Sequence, residues 1–156
     1  MGQLGLGDNT NRNKMERIES DKIFVAISCG DFHAIGLDYT GNLYSFGYNK
    51  SGQLGLGDNE DRYEMEKIKS DKIFVAISCG GFHTIVLDDQ GCVYSFGNAP
   101  ASPEKGDNQY GQLGLGDNED RDKIFVAIPC GACYTILLDD QGCVYSFGNA
   151  PASPEK

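Results

Sequence analysis

Positive charge is scarce in this sequence. Across 156 residues, 13 Lys and Arg stand against 23 Asp and Glu, giving a formal net charge of −10 at pH 7, and the basic residues never gather into a run. A protein that neutralises phosphates needs a positive face, so nucleic acid is not an expected partner. Docking on an anionic membrane surface is disfavoured for the same reason. Long apolar runs are also missing, and none approaches the roughly 20 residues of a transmembrane helix. The stretch MGQLGLGDN has no charged n-region and no apolar h-region, so it is not a secretory signal. Leu6 stands where a myristoylation pattern carries Ser or Thr. A soluble, cytoplasmic protein is expected, with the nucleus as the alternative.

Catalytic signatures are absent as well. GQLGLGD is glycine-rich, but no Gly-Lys-Ser/Thr follows, and it does not fit the dinucleotide pattern G-x-G-x-x-G. There is no G-x-S-x-G elbow, and no Ser–His–Asp set is available to nominate. The expectation is a non-enzyme without a cofactor and without catalytic residues. Six cysteines, Cys29, Cys79, Cys92, Cys130, Cys133 and Cys143, mostly sit in apolar strand-like runs. Free, buried thiols are expected rather than a disulfide framework. Cys130 and Cys133 form a lone C-x-x-C, whereas zinc normally takes four ligands and no second pair is present. DNEDR at 58–62 and 117–121, with DNTNR at 8–12, resembles an acidic calcium loop only faintly, because the central Gly and terminal Glu are missing. Solvated acidic turns and no metal site are expected.

What the chain has in abundance is glycine, 21 residues, and repetition. A hydrophobic content of 40% supports a folded domain rather than disorder. GQLGLGD occurs at 2–8, 52–58 and 111–117, at spacings of 50 and 59. DKIFVAISCG at 21–30 returns at 71–80 and, as DKIFVAIPCG, at 122–131; LDYTGNLYSFG at 37–47 returns as LDDQGCVYSFG at 87–97 and 138–148. A period near 50 residues belongs to propeller blades or solenoid units. Approximate units are 1–51, 52–110 with an inserted loop at 98–109, and 111–156, the third lacking a match to YEMEKIKS of 63–70.

Each unit reads as strands. IFVAIS is β-branched and aromatic, HAIGLD and HTIVLD are short apolar runs, and NLYSFG and CVYSFG alternate with a period of two. Tyr39-Thr40-Gly41 and Asp89-Gln90-Gly91 read as tight hairpin connections. MERI at 15–18 and MEKI at 65–68 fit either a fourth, outer strand or a short helical turn. GQLGLGD then reads as a junction between units. Its glycines, Gly2, Gly5, Gly7, Gly52, Gly55, Gly57, Gly111, Gly114 and Gly116, permit a sharp turn and close backbone approach. Leu4, Leu54 and Leu113 are expected to plug the gap between units, and Asp8, Asp58 and Asp117 to close Asx-type turns.

The order V-A-I-S-C-G-x-F-H-x-I-x-L-D-x-x-G-x-x-Y-S-F-G-x-N-x-x-G-Q-L-G-L-G-D runs from Val25 to Asp58, and again from Val75 to Asp117 around the insertion. In this order and over almost the whole chain, it resembles the regulator of chromosome condensation repeat. The resemblance implies an all-β fold, a propeller of four-stranded blades that closes with seven. Three repeats imply a partial, open propeller whose strand edges invite pairing. Such edges fit either a homo-oligomer that completes the ring or a truncated fragment. Family members include the exchange factor for the GTPase Ran, ubiquitin ligases and a plant ultraviolet-B photoreceptor, so fold alone does not settle function. The absence of Trp excludes the tryptophan-based light sensing of that last branch.

His33 and His83 hold the CGxFH position that, in the Ran exchange factor, belongs to the GTPase-facing surface. With Asp31 they are the candidate partner-binding residues. The opposing reading is that the imidazoles cap the turn and bond to backbone, since Phe32 and Phe82 replace the acidic neighbour and unit three carries Cys133-Tyr134 instead. The expected function is a non-catalytic interaction module binding a protein partner through propeller loops. The alternatives are an exchange factor for a Ran-type small GTPase, with 98–109 as its only candidate wedge, and a fragment without independent function.

Overall fold

A computed structural model of the chain describes residues 1–97 and 125–148, and among them finds ten strands and no helix. The first sheet is a four-stranded antiparallel meander: β1 (Phe24–Cys29), β2 (His33–Asp38), β3 (Leu43–Gly47) and β4 (Arg62–Lys67). The second contains β5 (Phe74–Cys79), β6 (His83–Asp88) and β7 (Val93–Gly97), and the third β8 (Phe125–Ala127), β9 (Tyr134–Asp139) and β10 (Val144–Gly148). The architecture is the expected all-β one: three antiparallel sheets in an open array.

One device builds every middle hairpin. Asp38 ends β2 and is buried, and its Oδ1 accepts hydrogen bonds from the amides of Thr40 and Asn42. Asp88 does the same for Gln90 and Cys92, and Asp139 for Gln141 and Cys143. Burial pushes the Asp38 carboxyl up, but the hydrogen bonds from Thr40 and Asn42 outweigh it and bring the group down to about 2. On the second and third sheets the hydroxyls of Tyr94 and Tyr145 donate to Oδ2 of the same Asp.

The core lies between sheets. Ile35, Leu37 and Leu43 of the first sheet meet Phe74, Cys79 and Val86 of the second in one cluster. Ile85 and Leu87 meet Ile128 and Leu137 of the third in another. Strands β2 and β6 are consequently buried at every position, whereas β9 alternates between buried and more open positions.

The fourth strand crosses the repeat boundary. β4 follows the second GQLGLGD, yet it pairs with β3 and completes the first sheet. MEKI is therefore largely strand, while its counterpart MERI at 15–18 is not, because no described strand pairs with it as β3 pairs with β4. The match to 63–70 that the sequence lacks after Arg121 is the counterpart of this edge strand.

Two expectations are corrected. All six cysteines are free, but only Cys79 is buried; Cys29, Cys92 and Cys143 are exposed. Cys92 and Cys143 fall in the hairpin turns, and Cys29 shares the exposed positions of β1 with Val25 and Ile27, because burial alternates residue by residue along that strand. Leu54 is fully buried, as a plug should be, but Leu4 is 43% exposed. Leu113 lies outside the described residues.

Candidate partner-binding site

Asp31 lies in the turn between β1 and β2, while His33 and His83 open β2 and β6, and the structure gives these three residues different surroundings. Both imidazoles are buried, at 2% and 0% exposure, and each reaches into the next sheet. His33 Nε2 lies 2.9 Å from Thr84 Oγ1, and His83 Nε2 lies 3.2 Å from Thr135 Oγ1. Thr84 Oγ1 in turn donates to the Gln53 carbonyl. Desolvation pushes both imidazoles down to about 4, and for His33 the neighbouring His83 adds to the effect. The two rings are neutral joints between sheets, bonded to side chains rather than to backbone.

A glycine makes room for each ring. A Cβ on Gly30 would lie 2.3 Å from His33 Cε1 and 2.5 Å from the Gly80 carbonyl oxygen. A Cβ on Gly80 would meet His83 Cε1 at 1.9 Å. This is the physical reason for Cys-Gly before the Phe-His pair. Ser28 and Ser78 reinforce the same joints, accepting the amides of Cys79 and Cys130. Thr84, Thr135, Ser28 and Ser78 were not legible as joint residues, because their partners lie about 50 positions away.

Asp31 points the other way. It is exposed, its amide donates to the Gly81 carbonyl, and its carboxylate leans over Gly81. Beside it three rings meet across the boundary of the first two sheets. The centroids of Phe32 and Phe82 are 5.6 Å apart, and Tyr48 lies 6.3 Å from each. The Tyr48 amide donates to the Phe32 carbonyl, which fixes the trio to the backbone. Phe32 is 36% exposed, and Tyr48 and Phe82 are half-buried.

The junction behind this surface is also built in detail. Gly2, Gly5, Gly7, Gly52, Gly55 and Gly57 all have positive φ. A Cβ on Gly5 would press on Phe46 at 2.9 Å, and one on Gly55 on Phe96 at 2.8 Å, so each junction packs on the third strand of the sheet that follows it. Asn49 is buried and staples the loop: its Oδ1 accepts the Leu54 amide and its Nδ2 donates to the Asp58 carbonyl. Asp8 and Asp58 close Asx turns on Thr10 and Glu60 as expected, and Arg12 and Arg62 pair with them. These arginines hold the two carboxyls below their ordinary range. Gly111, Gly114, Gly116, Asp117 and the inserted loop 98–109 lie outside the described residues.

Residues 40–87 and 24–53 each match the family described as the regulator of chromosome condensation (RCC1) repeat. The chain is 31% identical over 164 residues to the ultraviolet-B receptor UVR8 of Arabidopsis thaliana, an alignment covering 94% of this chain and 34% of that one. The chain thus spans about a third of the length of the curated relative it matches. Among solved structures, human WBSCR16 superposes with a TM-score of 0.77 at 20% identity, over 99% of this chain and 43% of that one. Yeast RCC1 (Prp20), solved bound to Kap60, superposes with a TM-score of 0.65 at 18% identity, over 80% of this chain and 32% of that one. These likenesses establish the fold as that of RCC1-type propellers.

Proposed function

The chain belongs to the regulator of chromosome condensation (RCC1) repeat family, and on that premise we propose that it is a non-catalytic protein-interaction module. Its partner docks on the end of the sheets that carries Asp31 and Phe32. The observation that carries this reading is the trio of Phe32, Tyr48 and Phe82, which leaves aromatic surface at the protein exterior. Aromatic side chains are enriched in the anchors of protein interfaces. One yeast protein of the same fold, Prp20, has been solved bound to Kap60 and studied for its binding to Gsp1p and histones.

A photoreactive phenylalanine at position 32 tests the reading against one at position 39, in the hairpin turn at the far end of β2. Crosslinking of a partner from position 32 and not from 39 is the expected result; crosslinking from 39 alone removes it. A second reading, exchange activity on a Ran-type GTPase, rests on the family resemblance. No acceleration of nucleotide release at micromolar protein eliminates it.

A further inference from the structure

We propose that the Phe32–Tyr48–Phe82 surface, together with the Asp31 carboxylate, is a receptor for an arginine side chain presented by a protein partner. The proposal rests on the interaction-module reading and names the chemistry of what docks there.

Three observations converge. The first is what the near-identical repeats do not share. Asp31 and Tyr48 occur once: Gly81 and Ala132 hold the positions of Asp31, and Asn98 and Asn149 those of Tyr48. Among residues that distinguish the first unit, these two are brought to one spot, around Phe32 and the neighbouring sheet's Phe82. The second is preorganisation. The Tyr48 amide bonds the Phe32 carbonyl at 2.8 Å and the Asp31 amide bonds the Gly81 carbonyl at 3.1 Å, so the backbone that presents the rings and the carboxylate is held in place. The rings are tilted or edge-on, with interplanar angles of 52°, 64° and 83°. A planar guanidinium can therefore lie over one face while its edge meets a neighbour.

The third is charge. Asp31 is exposed, and no described Lys or Arg forms an ion pair with it. Lys50, two residues beyond Tyr48, is turned to the Asn59 carbonyl and the Glu60 carboxylate instead. A net charge of −10 draws basic groups toward the whole chain, and the carboxylate beside three π faces marks where one would settle. Arginine is favoured over lysine because its flat guanidinium stacks on a ring and still donates to a carboxylate.

The test uses the full chain and an arginine nonapeptide as probe, read by calorimetry and by shifts of the aromatic resonances, with lysine and glutamate nonapeptides alongside. Arginine peptide is expected to bind more tightly than lysine peptide, and glutamate peptide not at all. Phe32→Leu, which keeps apolar volume and removes the ring, is expected to weaken arginine binding about tenfold with an unchanged melting temperature, while Phe32→Tyr retains it. Asp31→Asn is expected to weaken binding roughly threefold to tenfold, and Asp140→Asn, exposed in the hairpin turn of the third sheet, less than about twofold. Equal loss in Asp31→Asn and Asp140→Asn, with none in Phe32→Leu, overturns the proposal, since the charge of the whole chain then explains the binding. If that occurs while position 32 still crosslinks a partner, the interaction-module reading stands and only the arginine assignment is lost.

Discussion

The CGxFH histidines are joints between sheets, and their chemistry follows from that placement. His83 is fully buried against Thr135, and Gly80 has no room for a methyl beside its ring. Gly80→Ala is expected to cost about 3 kcal/mol, because the new Cβ also meets the Gly131 carbonyl at 2.6 Å. His83→Ala should cost roughly 2–4 kcal/mol through the cavity it leaves and the lost imidazole hydrogen bond to the Thr135 hydroxyl. The double variant should be less damaged than the sum of the two, since removing the ring relieves half of the clash. Urea unfolding measures all three, and strict additivity contradicts the packing described.

Acid adds a second prediction at this scale. Both imidazoles titrate near 4 when folded, against an ordinary value near 6.5, so between these limits the unfolded chain binds more protons. Stability is therefore complete above about pH 6.5 and falls as pH drops toward 4, by on the order of 3 kcal/mol for each ring. The urea midpoint should follow this course, and it should flatten in a His33→Gln, His83→Gln variant. An unchanged slope in that variant would place the acid sensitivity elsewhere. The residue types were visible in the sequence; their burial was not, because the Thr partner of each lies 51 or 52 positions along the chain.

At the scale of elements, strands and hairpins were the legible part. The alternation in NLYSFG and the Asp-x-x-Gly turns specify local geometry, and β3, β7 and β10 with their hairpins follow. The junction was legible in kind, through its glycines, but its contacts were not. Leu4 and Leu54 are the same residue in the same heptapeptide, yet one is exposed and the other fully buried. The difference is the surroundings: Leu54 has its carbonyl bound by Ser45 of the first sheet while its loop packs on the second. The junction gives a graded test. Gly57→Ala meets nothing within 4 Å and carries only the left-handed backbone cost, about 1–2 kcal/mol. Gly55→Ala adds pressure on Phe96 at 2.8 Å and should be the more damaging of the two in thermal melts. Equal effects would show that Phe96 yields without cost.

At the scale of the molecule, the array is quasi-linear, so each sheet should answer to its own joint. Ser78→Ala, which strips the Cys130 amide of its acceptor, is expected to raise hydrogen exchange in β8 and β9 and leave β1–β3 protected. Uniform loss of protection would instead mean one cooperative unit. The first strands also leave Val25, Ile27, Val75 and Val126 more than half exposed, an apolar row repeated from sheet to sheet. Self-association is the expected consequence of such a surface. Light scattering over a concentration series should show the mass rising, and a constant monomer mass would show that the row stays open to water.

The sequence by itself determined the repeat period of this protein and its local order: strands, glycine-bearing hairpins and glycine junctions, each written within a stretch of about ten residues. Backbone preference and alternation act at that range. The tertiary structure decided what those pieces do for one another. It moved β4 into the sheet before its own repeat, turned two histidines from candidate contacts into buried joints, and gathered Phe32, Tyr48 and Phe82 beside Asp31. Each of those outcomes depends on desolvation and contact between segments distant in the chain, and no local pattern of residues encodes which segments will meet.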